Sequence, residues 1–261
     1  MAELLHHSVS GLPGAPTLLL IHAMGADSSF WDGCRAIWDA RFRTIACDLR
    51  GAGRSLRPAA AVTPASHVGD LEALVAHLGP DRLVVVGCAV GAMTAVHYAA
   101  AHPERVAGLV LSNPGIRTRE AAREALAQRA AAVRRDGMEA AVPPIVDGAF
   151  AGCPDDGVRA RFVDRFRAQD PTLYAATIEG MLHADVTADL SEIRCPTLLV
   201  AGSMDRLLPP EHAEEIKAHL PSAELTIVEG GAHFIPYQRP AEFAGLVEGF
   251  MAQHGLTSAA P

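Results

Sequence analysis

Six short apolar runs, each bounded by turn-forming or polar residues, recur along the chain. Within a run the apolar residues are continuous, which is typical of strands buried on both faces of a parallel sheet. Half-exposed strands would instead alternate apolar and polar residues. We therefore predict six buried strands, at residues 17–22, 43–48, 83–88, 106–113, 196–202 and 224–230.

Segments with helical periodicity fill most of the intervals between these runs. They lie at residues 28–40, 65–78, 90–102, 210–219 and 240–254. Strands that alternate with helices in this way predict right-handed crossovers between parallel strands. The predicted fold class is therefore α/β, with a doubly wound and mostly parallel sheet.

One interval breaks this alternation, because residues 115–190 contain no convincing strand. Helical stretches rich in alanine and arginine occupy it, separated by segments such as "VPP" and "GCPDDG". We predict that this interval is a helical cap, inserted between two late strands over the ligand-binding edge of the sheet. Residues 1–114 and 191–261 would then form the core domain.

Composition narrows the function classes that are open to such a fold. Hydrophobic residues make up 49% of the 261 residues and charged residues 20%, so a packed core is expected. A formal net charge of −8 argues against a nucleic-acid-binding surface, which needs clustered excess Lys and Arg. No apolar run reaches the roughly 18 residues that a membrane-spanning helix needs, so no membrane partner is expected.

The cysteines indicate the redox environment. They number five, lie far apart and include no CxxC pair. This usage predicts reduced thiols in the cytoplasm rather than a disulfide framework or a metal site. The N-terminal segment lacks the basic and long apolar regions of a secretory signal, which also favours a cytoplasmic location. We expect neither a metal nor a cofactor.

The sequence "GCAVG" at residues 87–91 joins a predicted strand to the helix that follows it. It matches the nucleophile elbow, G-x-S-x-G, in which a serine occupies the apex of a sharp strand-to-helix turn. Here the apex residue is Ala89, whose methyl group cannot attack a substrate. The motif therefore predicts the turn without its nucleophile.

Further motifs occur around this turn in a characteristic order. "LLLIHAMGADSSFWD" resembles the strand and turn that supply half of an oxyanion hole, and "DLRGAGRS" resembles the turn after the next strand. "LLVAGSMDRLLPP" and "GGAHFIPYQRPAEF" resemble the late loops that carry an acid and a histidine. From about residue 15 to 250 the chain thus resembles the α/β-hydrolase superfamily. Within it, the chain is most similar to the 3-oxoadipate enol-lactonase group and close carboxylic-ester hydrolases.

The resemblance implies a site of the Ser-His-Asp type with Ala89 at the nucleophile position. Asp205 is the implied acid that orients the base, and His233 is the implied base. The structural alternative is that Asp205 only caps the next helix and that His233 is a surface residue. The backbone N–H groups of Met24 and Val90 would form the oxyanion hole.

A substrate pocket is expected between the carboxyl ends of the strands and the cap. Its predicted lining suits a small carbocycle or lactone with at most one carboxylate. Each lining residue could instead belong to the core. Most of the arginines of residues 115–190 are interpreted as the solvated face of the cap helices. The candidate lining residues are Phe30, Trp31, Met93, Phe150, Tyr174 and Met181.

Three hypotheses account for Ala89. In the first, this chain is an inactivated Ser→Ala form of a serine hydrolase. In the second, the Asp205–His233 pair works alone, activating water or removing a proton from the substrate. In the third, Cys88 is the nucleophile, which is disfavoured because an elbow directs only its apex side chain into the pocket. The first two hypotheses stay open.

The main functional prediction is a hydrolase of a small carboxylic ester or lactone, impaired by Ala89. One alternative is a cofactor-free proton-transfer enzyme, such as a lyase, an isomerase or a dioxygenase-like protein, that uses His233 and Asp205. Another is a non-catalytic ligand-binding member of the fold. The expected partner is a small-molecule ester or lactone, and the oligomeric state is left open.

Overall fold

The computed structural model describes residues 4–55, 62–154 and 157–258. Within these ranges seven strands form one sheet. The strands are β1 (His7–Gly11), β2 (Thr17–Ile21), β3 (Arg43–Cys47), β4 (Leu83–Cys88), β5 (Val106–Ser112), β6 (Thr197–Gly202) and β7 (Glu224–Val228). Their order across the sheet is β1-β3-β2-β4-β5-β6-β7, and only β1 runs antiparallel to its neighbour. The predicted α/β class with a mostly parallel sheet is confirmed.

Helices connect the strands and cover both faces of the sheet. No helix in the described ranges is long and apolar enough to cross a membrane. Short 3₁₀ segments lie at 28–31, 138–141 and 188–192. The α-helices of the described ranges are α1 (Asp32–Trp38), α2 (Pro64–Leu78), α3 (Val90–Ala101), α4 (Glu120–Asp136), α5 (Val142–Ala149), α6 (Val158–Arg167), α7 (Pro171–Met181), α8 (Glu211–His219), α9 (Ile235–Gln238) and α10 (Pro240–Gln253).

The two edges of the sheet differ most from the sequence prediction. β1, with the sequence "HSVSG", was not among the predicted strands, because it contains no apolar run. It pairs only with β3, so it needs no apolar residues on two buried faces, and Val9 is exposed. β7 forms the opposite edge, where Ile227 is exposed although burial on both faces was expected.

The core is divided by the sheet into two hydrophobic clusters. Along β2, Leu18 and Leu20 belong to the cluster that contains Trp38 and α10, whereas Leu19 and Ile21 belong to the cluster that contains α3. This alternation explains the continuous apolar runs, because successive side chains of one strand enter opposite cores. The sheet is therefore covered on both faces, as a parallel sheet requires.

Helices α4 to α7 form an insertion between β5 and β6. α4 packs against α7, and α5 packs against α6. Arg117, before α4, and Asp185, after α7, form an isolated antiparallel β-bridge that joins the two ends of the insertion. The position of these helices matches the interval in which a cap is predicted, while the domain boundaries themselves stay a prediction.

Candidate active site

The turn at residues 87–91 has the geometry of a nucleophile elbow. β4 ends at Cys88 and α3 begins at Val90, so Ala89 alone makes the turn. The backbone of Ala89 has φ 51° and ψ −112°, which is a strained conformation for a residue with a Cβ. Its N–H donates to the carbonyl oxygen of Ser112 at 3.0 Å, which ties the apex to β5. The strained turn is therefore present without a serine.

Two glycines allow this turn because they remove side chains where backbones meet. A Cβ on Gly91 would lie 2.3 Å from the carbonyl oxygen of Ile21 in β2. A Cβ on Gly87 would lie 2.3 Å from the carbonyl oxygen of Gly91 itself. Real Cβ atoms do not approach so closely, so α3 can start this near to the sheet only with glycine at both positions.

Asp205 and His233 form a buried hydrogen-bonded pair. The Nδ1 atom of His233 lies 2.8 Å from Oδ2 of Asp205. Oδ1 accepts hydrogen bonds from the N–H groups of Leu207 at 2.8 Å and Leu208 at 2.9 Å. Burial opposes ionisation of Asp205, but His233 and these hydrogen bonds outweigh it and lower the pKa of the carboxyl group. The ionised carboxylate can only accept, so Nδ1 carries the proton and Nε2 is left as the base.

Asn113 is a supporting residue that the sequence analysis missed. Its Nδ2 donates to Oδ2 of Asp205 at 2.9 Å and to the carbonyl oxygen of Ala232 at 3.0 Å. Its Oδ1 accepts from the hydroxyl of Ser112 at 2.9 Å, and its backbone has a positive φ of 47°. Asn113 thus links the acid to the loop that carries His233. The only sequence signal is an asparagine directly after β5, since asparagine tolerates positive φ.

The predicted oxyanion donors follow β2 and β4, which are neighbouring strands of the sheet. Val90 is the first residue of α3, so its N–H has no acceptor within the helix. The N–H of Met24 donates no hydrogen bond to any described residue. Met24 and Val90 line the same cavity as Ala89 and His233. Two unused donors therefore border the space in front of the apex.

His22 braces the turn that contains Met24. The N–H of Leu49 donates to Nε2 of His22 at 2.9 Å, so the ring proton is on Nδ1 and donates to the carbonyl oxygen of Ala23 at 2.8 Å. Burial lowers the pKa of His22 despite the backbone hydrogen bond and the nearby carboxylates. The ring is therefore a neutral strut and is not available for proton transfer.

A cavity of about 340 Å³ lies between the carboxyl ends of the strands and the helical insertion. This volume is at the small end of the range for ligand sites, which runs from about 300 to 1,000 Å³. Ala89 and His233 line this cavity, together with residues of α4 and α7. Leu207, Leu208 and His212, which follow Asp205 in sequence, also line the cavity.

Comparison with known proteins agrees with this architecture. A family model for the α/β-hydrolase fold matches residues 16–240. The chain is 28% identical to the RutD protein of Caulobacter sp. (strain K31), a proposed carbamate hydrolase, over 95% of this chain and 96% of RutD. The chain belongs to the α/β-hydrolase family.

Solved structures give the same result. The enol-lactonase from Burkholderia xenovorans LB400 superimposes with a TM-score of 0.89 at 27% identity, covering 95% of this chain and 96% of that one. A thermophilic esterase from Thermogutta terrifontis, with malate bound, gives a TM-score of 0.88 at 25% identity, with 96% and 93% covered. The names of these proteins support a general hydrolytic function for the α/β hydrolase described here.

The predicted substrate-lining residues of this α/β hydrolase divide into two groups. Met93, Tyr174 and Met181 line the cavity. The other three are not part of its wall and instead pack among aromatic rings of the core, contrary to expectation. The ring centroids of Phe30 and Trp31 are 5.2 Å apart, and the ring centroid of Phe150 is 5.4 Å from that of Phe162. Phe30, Trp31 and Phe150 are therefore core residues.

The arginines of the insertion also fall into two groups, those exposed on the surface and those that line the cavity. Arg134 forms a two-point pair with Glu179 and is exposed, as a solvated helix face requires. Other arginines contribute to the cavity wall and are exceptions to the interpretation of most of them as solvated. These are Arg117, Arg119 and Arg129.

Cys88 has no access to the cavity in this α/β hydrolase. Its side chain is fully buried, and its Sγ faces the carbonyl oxygen of His233 at 4.0 Å. Burial, followed by the charge of Asp205, raises the pKa of the thiol well above its ordinary value. A buried, protonated thiol that is absent from the cavity wall cannot serve as the nucleophile.

Proposed function

We propose that this chain is built to hydrolyse a small carboxylic ester or lactone by serine chemistry, and that Ala89 leaves it without the nucleophile. The observation that carries the proposal is the strained backbone of Ala89, in the wall of a cavity that His233 also lines. Such a turn lifts a nucleophile out of the sheet toward a ligand. The strained backbone gives the methyl side chain of an alanine no catalytic function.

With a serine at position 89, the remaining groups complete an acyl-transfer site. Nε2 of His233 takes the hydroxyl proton while the oxygen forms a bond to the carbonyl carbon. The carbonyl electron pair moves onto its oxygen, where the N–H groups of Met24 and Val90 stabilise the charge. His233 then returns the proton to the leaving alkoxide, and water repeats the sequence to release the acid. Asp205 stays ionised throughout and stabilises the imidazolium.

The decisive experiment is Ala89→Ser. We expect kcat/KM for p-nitrophenyl acetate to rise at least about 100-fold over the native chain, because loss of a triad nucleophile costs several orders of magnitude. Initial rates of p-nitrophenolate release measure this. The mutation adds one oxygen to a side chain whose backbone already has the required conformation.

Ala89→Ser combined with His233→Ala is the matched control. It keeps the hydroxyl and removes the base, so we expect the gain to fall by about 10²–10⁴-fold. A folded Ala89→Ser protein that is no more active than the native chain would reject the serine mechanism.

A second candidate function rests on the Asp205–His233 pair, which is complete without any apex oxygen. In that case His233 removes a proton from a carbon next to a carbonyl group, and Ala89 leaves room for the substrate. The native chain would then exchange the α-hydrogens of ethyl acetoacetate in D₂O, as followed by NMR. His233→Ala would abolish this exchange, whereas Ala89→Ser would not accelerate it.

A further inference from the structure

The wall of the active-site cavity is basic, although the chain carries a formal net charge of −8. No aspartate or glutamate of the described ranges lines it. The positive charge of the wall is therefore a local feature that does not follow from the composition of the chain. Its cationic and titratable side chains are Arg117, Arg119, Arg129, Arg206, His212 and His233.

Among the described residues, only part of this charge is neutralised. Nη2 of Arg119 lies 2.9 Å from one carboxylate oxygen of Glu215, and Arg117 contacts the other oxygen of the same carboxylate. The single negative charge of Glu215 is thus shared by two guanidinium groups. Arg129 and Arg206 form no ion pair with any residue in the described part of the chain. An anionic ligand would supply the missing partner.

α4 directs Arg129 into the cavity. Ala122, Ala125, Leu126 and Arg129 all line the wall, and their spacing of three and four residues places them on one face of the helix. The alanine side chains are short, so the longer side chain of Arg129 extends past them into the cavity. Arg129 is the charged residue of this face, and it is half-buried.

Tyr174 lines the cavity together with Arg129 and packs against the turn that contains Met24. Tyr174 is 3% exposed. Its ring lies 3.1 Å from where a Cβ on Gly25 would be, next to Met24. Burial raises the pKa of Tyr174 above its ordinary value, so the phenol keeps its proton. A protonated phenol that lines the cavity can donate its O–H to a ligand there.

We propose that Arg129 and Tyr174 form an anion subsite, so that the ligand of this cavity carries a carboxylate in addition to its ester or lactone group. Arg129 supplies charge-assisted N–H donors, and Tyr174 supplies an O–H donor. Met93 and Met181 offer an apolar surface for the carbon chain between the two groups. The ester or lactone part rests on the proposed function, whereas the anion subsite is tested by binding alone.

The test uses the native chain, since Ala89 prevents serine-dependent turnover during titration. Monomethyl glutarate is compared with methyl 5-amino-5-oxopentanoate, its uncharged amide of the same shape, by isothermal titration calorimetry at physiological ionic strength. We expect the acid to bind at least about tenfold more tightly than the amide. Arg129→Gln should remove this preference, and Tyr174→Phe should reduce it.

Arg135→Gln is the matched control. Arg135 lies on the same helix, is 71% exposed and pairs with Asp136 away from the cavity, so this variant should keep the full preference. Thermal melts report whether each variant is folded. The succinate and adipate half-esters and their amides extend the test to shorter and longer ligands.

Equal affinity for acid and amide at every length would overturn the subsite. Loss of the preference in Arg206→Gln but not in Arg129→Gln would overturn its assignment to Arg129. If Ala89→Ser shows no hydrolysis while the native chain prefers the acid, the proposed function fails and the subsite stands. Hydrolysis without any preference rejects the subsite alone.

Discussion

At the scale of single residues, the elbow has an alanine at the nucleophile position and an inaccessible thiol one residue earlier. Ala89 faces the cavity but has no reactive atom, whereas Cys88 has a reactive atom but faces the core. One step along the chain reverses the direction of the side chain, because the turn follows directly on β4. Neighbouring residues in sequence are therefore not interchangeable in chemistry.

Thiol labelling tests this assignment of faces. We expect iodoacetamide to modify the half-buried Cys153 and Cys195 first in the native protein, and Cys88 only after unfolding in guanidinium. Burial raises the pKa of Cys195 to about 11, so its labelling should be slow at neutral pH but still faster than that of Cys88. Mass spectrometry of peptides measures each site. Rapid stoichiometric labelling of native Cys88 would contradict this arrangement.

At the scale of elements, the sequence predicts the strands and helices whose positions are determined by the apolar pattern alone. The buried strands were found because both of their faces are apolar, and β1 was missed because an edge strand such as "HSVSG" carries no such pattern. The order of the motifs pointed to Asp205 and His233. The split between Met93, which lines the cavity, and Trp31, which packs in the core, was not predictable, because both are apolar residues in helical segments and only tertiary packing distinguishes them.

The junction between β2 and α3 provides a prediction about stability. Gly91→Ala would place a Cβ 2.3 Å from the carbonyl oxygen of Ile21, so α3 must shift from the sheet. We expect a loss of more than about 2 kcal/mol in the free energy of unfolding, in line with overpacking of a core. Urea denaturation followed by circular dichroism measures it.

Gly69→Ala is the control for that substitution. Gly69 lies inside α2, and a Cβ there meets no atom within 4 Å. Alanine should therefore leave stability unchanged or raise it by about 0.4–1 kcal/mol, because it restricts the unfolded chain. Equal effects of the two substitutions would mean that the close approach of α3 to β2 does not limit stability.

At the scale of the whole molecule, buried histidines couple folding to pH. His67 is fully enclosed; its Nδ1 lies 3.3 Å from the hydroxyl of Thr94, and its Nε2 has no hydrogen-bond partner in the described ranges. Burial lowers the pKa of His67 to about 4, with the neighbouring His22 acting in the same direction. Both rings stay neutral in the folded protein at pH values where the unfolded chain protonates them.

The neutral state of the buried His67 makes the free energy of unfolding depend on pH. Between about pH 4 and 6.5 the unfolded state binds the proton and the folded state does not, so stability falls as the pH falls. His67 alone should remove about 2 kcal/mol from the free energy of unfolding between pH 7 and 4.5. Urea titrations at several pH values measure the slope, which should be shallower in His67→Gln. Parallel pH profiles for the two proteins would show that His67 does not titrate in this way.

The backbone of the elbow is held by Gly87, by Gly91 and by the bond to Ser112, and none of these contacts involves the side chain of Ala89. The chemistry of the apex is therefore separable from the architecture that presents it. Alanine and serine codons can differ at a single base, so one point mutation in a gene for this scaffold can add or delete a nucleophile. Such a lineage can move between a catalyst and a binding protein while selection for folding acts on the same packing throughout.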